Sequence, residues 1–104
     1  MNLEEFKNRL RKYNKNDIIV TEHADLQAFS RRIDLEEVKE NLLNPVKLVH
    51  FKREEEFPNE ERYECFFEYA SNLYHKYTIV LNRKIIIVTV IVINRRWQGE
   101  IKTL

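Results

Sequence analysis

The sequence predicts an α+β fold, with N-terminal helices packed on a four-stranded antiparallel sheet. Three observations carry this reading. Apolar residues recur at helical spacing up to Pro45 and at strand spacing after it. The order is helices first and strands second, the layout of a segregated α+β domain rather than of alternating βαβ units. The nine residues Ile85–Ile93 are all β-branched, stiff at χ1 and suited to a pleated strand.

The helices are read from their caps. Asn2 caps the first, Glu5 closes a capping box, and Leu3, Phe6, Leu10 and Tyr13 recur at helical spacing, so it spans residues 3–13. Residues 14–17 form a turn, and Ile18–Val20 is a short extended piece. Thr21 caps a second helix over Glu22–Arg31, with Leu26, Phe29 and Ile33 as its inward stripe. Asp34 caps the third, Glu37 answers it across a capping box, and Ile33 staples onto Val38. Leu35, Val38 and Leu42 face one way, and Asn44-Pro45 stops the helix because a residue before proline avoids the helical region.

The strands follow. Residues 46–53 alternate loosely, and residues 54–61 form a charged, proline-containing loop. Residues 62–69 place Tyr63, Cys65, Phe67 and Tyr69 on one face. Residues 70–72 turn into strand Leu73–Leu81, and Asn82-Arg83 makes a tight hairpin because Asn tolerates positive φ. Residues 84–94 are the last strand. Its lack of polar alternation predicts cover on both faces, from helices and the tail at residues 95–104 or from a second copy.

At 104 residues, 43% of them hydrophobic, the chain fits a single folded domain over residues 1–104. The net charge of +1 excludes a global attraction to nucleic acid. The layout is uneven, however. Residues 34–68 carry five Lys/Arg against eleven Asp/Glu, and residues 69–104 carry six against one. That leaves room for a local anion or RNA site. The only glycine, Gly99, excludes a Walker loop and a dinucleotide-binding turn. The lone Cys65 excludes an intrachain disulfide, and the N-terminus lacks an apolar signal core. The expectation is a cytoplasmic protein without cofactor or membrane span, since the apolar run falls well short of the ~20 residues a spanning helix needs.

His23, His50 and His75 are the side chains that titrate near neutral pH. Their spacing matches no metal motif, so no metal site is expected. His23 sits in the first turn of a helix, where the dipole disfavours imidazolium and leaves a neutral base; the plain alternative is an ordinary surface residue. His50 and His75 lie in strands and read first as partly buried groups bonded to backbone. Cys65, among aromatics, reads as core. The basic set is Arg31, Arg32, Lys76, Arg83, Lys84, Arg95 and Arg96. Arg95-Arg96-Trp97 offers two guanidiniums and an indole for phosphate contact and base stacking, against the alternative of a charged strand end with a packing Trp.

Residues 23–45 resemble a bacterial and archaeal family catalogued as domain of unknown function 4258. The likeness rests on Thr21-Glu22-His23-Ala24, on Arg31 and Ile33, on Asp34-Leu35-Glu36-Glu37-Val38, and on Leu43-Asn44-Pro45. Aromatic strands follow, then a Val/Ile-rich strand with a Thr, like Ile86-Ile87-Val88-Thr89-Val90. Two departures stand out: Gln27 occupies a place where the family often has Arg, and Arg32 a place where it has Gly. The family is similar to the RelE/ParE toxin superfamily. The resemblance implies a RelE-like fold and a toxin-like small protein of toxin-antitoxin type, with metal-independent RNA cleavage as one activity. Such cleavage needs a base, a cation for the phosphorane and an acid. His23, His75 and Arg31 are the candidate catalytic residues. Lys76, Arg95, Arg96 and Trp97 are the candidate RNA-binding residues. RNA, an antitoxin protein and a second copy are the candidate partners. The alternative is a non-enzymatic interaction module that self-associates or binds a partner protein. A DNA-binding regulator is disfavoured because no helix carries a basic stripe.

Overall fold

In the computed structural model, which describes residues 1–94, the helices precede the long strands as expected. Helix α1 spans Leu3–Leu10, α2 Glu22–Arg31 and α3 Leu35–Leu43. Strand β1 is Ile18–Val20, β2 Leu48–Arg53, β3 Glu61–Ala70, β4 Leu73–Leu81 and β5 Ile85–Ile93. They form one sheet in the order β1-β5-β4-β3-β2.

Strands β2 to β5 are antiparallel neighbours, joined in sequence as a meander. The expectation of a four-stranded antiparallel sheet is nevertheless corrected. Ile18–Val20 adds a fifth strand parallel to β5, with Ile18 beside Ile85 and Val20 beside Ile87, so the sheet is mixed. The physical reason is the second edge of β5. A meander leaves it unpaired, and a buried edge must find partners for its backbone groups. The extended Ile-Ile-Val segment supplies them for three residues.

All three helices pack on one face of the sheet. Phe6, Leu10, Ala24, Ala28, Val38 and Leu42 share a core with Tyr63, Cys65, Phe67, Tyr77, Ile79, Ile87 and Val90. The face of β5 toward the helices is buried, while Ile86, Val88, Thr89 and Ile91 are half-buried. The expected cover from residues 95–104 lies outside the described residues.

Helix α1 has the capping box read from its sequence: the Glu5 N–H donates to Asn2 Oδ1 at 2.8 Å and the Asn2 N–H to Glu5 Oε1 at 3.1 Å. It ends at Leu10 rather than Tyr13. Its last turn tightens, and Tyr13 leaves the helix to donate its hydroxyl to the Asn82 carbonyl at 2.5 Å. The Asn82 turn also differs from expectation. It is closed by the Lys84 N–H donating to Asn82 Oδ1 at 2.8 Å, and among the described residues only Arg32 and Asn72 have positive φ.

Helix α2 keeps its expected bounds but is rotated from its expected orientation. Ala24 and Ala28 face the core, whereas Leu26 and Phe29 are exposed. Small residues let the helix backbone approach β5 closely, and two polar side chains lock it there. Thr21 Oγ1 donates to the Val88 carbonyl at 3.3 Å, and Gln27 Oε1 accepts from the Val90 N–H at 2.9 Å. These bonds lie just past the end of β1, where β5 bulges at Val88 between its Ile87 and Thr89 pairings with β4. The helix thus takes over from β1 as the partner of that edge.

Candidate functional site

The C-terminal end of α2, the start of α3 and the far ends of β3, β4 and β5 surround a cleft of about 200 Å³. Arg31, Arg32, Ile33, Asp34, Glu37, Tyr69, His75 and Val92 line it. Each arrives by a different local rule. Arg31 closes the last turn of α2. Arg32 is its C-cap at φ 55° and ψ 40°, the left-handed conformation that ends many helices and that glycine adopts most easily. Ile33 is buried and turns the chain into α3, where Asp34 Oδ1 accepts from the Glu36 N–H at 2.9 Å. The cap bond goes to the Glu36 N–H, so the expected capping box with Glu37 does not form, and Glu37 lines the cleft. Tyr69 continues the alternation of Tyr63, Cys65 and Phe67 beyond the helices, so it is exposed where they are buried.

His75 is the most constrained member. It is 2% exposed, and its ring stacks on Tyr69 at 4.2 Å between centroids. Its Nδ1 lies 2.7 Å from the Tyr77 hydroxyl, which in turn accepts from Asn41 Nδ2 at 3.0 Å. Burial pushes the Tyr77 phenol up, so it keeps its proton. A hydroxyl that already accepts from Asn41 donates its proton to His75 Nδ1; the opposite arrangement would leave a buried O–H without an acceptor. His75 is therefore held as the Nε2–H tautomer. Burial, aided by the charge of Lys47, pulls its pKa down to about 4, so it is neutral at physiological pH. In this state it offers a hydrogen-bond donor rather than a free base.

The cations beside it are unspent. Neither Arg31 nor Arg32 forms an ion pair among the described residues, although six such pairs occur elsewhere. A second hollow of about 420 Å³ adjoins on the other side of Tyr69, lined by Lys47, Glu68, Ser71, Asn72 and Tyr74 among others. Tyr69 thus forms a wall between two concavities, each bordered by Lys or Arg.

Of the described residues nominated from sequence, Arg31 and His75 come together, and His23 and Lys76 do not join them. His23 is exposed in the first turn of α2, eight residues and so roughly 12 Å of helix rise from Arg31. Lys76 follows His75 in sequence, but strand alternation sends it to the opposite face, where it pairs with Glu64 at 3.0 Å. Arg95, Arg96 and Trp97 lie outside the described residues. His50 contacts Phe66 on that opposite face, with its Nε2 buried and without a hydrogen-bond partner among the described residues. Cys65 is fully buried, and burial pushes its thiol far up, which leaves it inert. Sequence reasoning missed Arg32 and Tyr69 as site residues and the Asn41–Tyr77 support. The overrun of the β3 alternation past the helices was the available signal for Tyr69. Nothing local marked Asn41, which meets Tyr77 only through the packing of α3 on β4.

Among the described residues, no group of three or more His, Cys, Asp or Glu side chains is placed to hold a metal ion. Among the same residues, no helix is long and apolar enough to cross a membrane. Comparison with family models, with curated proteins and with solved structures returned no match to this chain.

Proposed function

We propose that this is a toxin-like small protein of toxin-antitoxin type that binds single-stranded RNA at the Arg31–Arg32–Tyr69–His75 cleft. The observation that supports this most is the convergence in one cleft of two guanidiniums without an ion pair among the described residues, a neutral imidazole donor and an exposed tyrosine ring. Guanidiniums match phosphate oxygens with paired donors, and an exposed ring gives an unstacked base a platform. Strain adds weight. A non-glycine residue in the left-handed region costs of order 1–3 kcal/mol, and such residues cluster at functional sites. At Arg32 that cost holds a cation at the cleft mouth, in the place where the resembling family has glycine.

The site favours binding first and cleavage second. Metal-independent cleavage here would use Glu37 to take the 2′-OH proton. The 2′-oxygen would bond to phosphorus as the P–O5′ bond breaks, with the leaving 5′-oxygen taking a proton from solvent. Arg31 and Arg32 would neutralise the phosphorane, and His75 Nε2–H would hydrogen-bond a phosphoryl oxygen. His23 is too far along α2 to join them. The RelE-like fold and the family likeness belong to this same reading, drawn from the motifs between Thr21 and Pro45.

The test is equilibrium binding of a fluorescent single-stranded oligoribonucleotide across a salt series. Replacing Arg31 and Arg32 together with Ala is expected to remove about two phosphate contacts and lower the salt slope by roughly 1.4. Absence of measurable affinity at low salt would contradict the proposal. For cleavage, Glu37→Gln should abolish strand scission, tested on total RNA and on ribosomes, while leaving affinity within a few-fold. Growth arrest on expression in a heterologous host, lost with the double Arg substitution, is the expected cellular result.

A further inference from the structure

Helix α2 carries an apolar face directed away from the core. Leu26 is 61% exposed and Phe29 86%. At 3.6 residues per turn, Glu22, Leu26 and Phe29 fall within about 60° of one another, opposite the buried Ala24 and Ala28. The exposure follows from the docking of α2: Thr21 and Gln27 fix its rotation at the β5 edge, so the larger apolar residues must point outward.

The charges along the same helix indicate what fits there. Its first turn carries Glu22 and Asp25; its C-terminal end carries Arg31 and Arg32. A parallel copy would place acid over acid and arginine over arginine. Arg31 points to the opposite side of the helix, so the basic partner is the C-cap Arg32. An antiparallel copy places Glu22 over Arg32 and brings the two Leu26–Phe29 patches together at the centre. This is the self-complementarity that a twofold interface requires.

We propose that α2 is a self-association surface, on which two copies pair their α2 helices antiparallel about a twofold axis near Leu26 and Phe29, with Glu22 of each facing Arg32 of the other. The contact is small. A ten-residue helix is about 15 Å long and cannot alone bury the ~800 Å² per partner of a standard interface, so the dimer is weak and reversible. The apolar patch is distinct from the RNA cleft, since neither Leu26 nor Phe29 lines it, but Arg32 borders both, so association is tested without RNA.

Sedimentation equilibrium of the RNA-free protein, from about 10 to about 500 µM, tests it. The apparent mass is expected to rise with concentration from 12.8 kDa toward the dimer value. Phe29→Ser should hold it at the monomer value, with the circular dichroism unchanged because the side chain is exposed. Glu22→Arg should weaken association at least several-fold, and adding Arg32→Glu should restore it. A single 12.8 kDa species at the highest concentration would overturn the proposal, as would a Phe29→Ser protein that still dimerises. Failure of the double reversal to restore association would overturn the antiparallel pairing.

Discussion

His75 shows how one residue links the core to the cleft. Its ring is packed under Tyr69 and tied through Tyr77 to Asn41, and that burial pulls its pKa down to about 4. Lys47 adds to the depression; Arg31, Arg32, Asp34, Glu37 and Tyr69 line the same cleft. The unfolded chain binds a proton at this position below about pH 6.5, and the folded chain does not. The stabilisation is therefore complete above pH 6.5 and is lost as pH falls toward 4, amounting to about 3 kcal/mol over that window. Denaturant midpoints measured from pH 7 to pH 4 should fall, and His75→Phe should flatten the fall. The slope from His50, whose pKa burial also lowers, should persist. Nitrogen-15 spectra at neutral pH should show His75 as the Nε2–H tautomer. Arg32 is the complementary case. Relieving its left-handed backbone with Arg32→Gly is expected to raise stability by about 1 kcal/mol while lowering RNA affinity.

At the scale of elements, the termini and strands were largely legible and the orientation of α2 was not. Capping residues announced the helix starts at Asn2, Thr21 and Asp34, and the β-branched run announced β5. These are local signals, set by orphan backbone groups and χ1 stiffness. The rotation of α2 is not local. Its largest apolar residues marked one stripe, while close approach to β5 selected the stripe of alanines and Gln27. The same docking calls for an acceptor at position 27, because only an acceptor can meet the Val90 N–H and a guanidinium has none. Gln27→Ala should cost about 1–2 kcal/mol in urea denaturation, and Gln27→Arg at least as much. The parallel pairing of β1 was equally hidden, since a three-residue strand has too short a pattern to declare its neighbour.

At the scale of the molecule, a net charge of +1 conceals an uneven layout, acidic over residues 34–68 and basic over residues 69–104. The acidic residues 54–56 border a separate hollow with Arg62 and Glu64, by the β2–β3 loop. The cleft collects Arg31 and Arg32 from the end of α2 and Asp34 and Glu37 from the start of α3, with His75 and Tyr69 from the sheet. Of the three residues nominated as catalytic, Arg31 and His75 meet at the cleft and His23 does not, because chain order could not tell which end of α2 would meet β4. The most direct test is a two-dimensional NMR titration of the labelled protein with a short single-stranded oligoribonucleotide at low salt. The account predicts saturable shifts concentrated at Arg31, Arg32, Ile33, Glu37, Tyr69, His75 and Val92, with His23 and Lys76 unmoved. Shifts centred on His23 or on the Lys76 face, or no shifts at all, would contradict it.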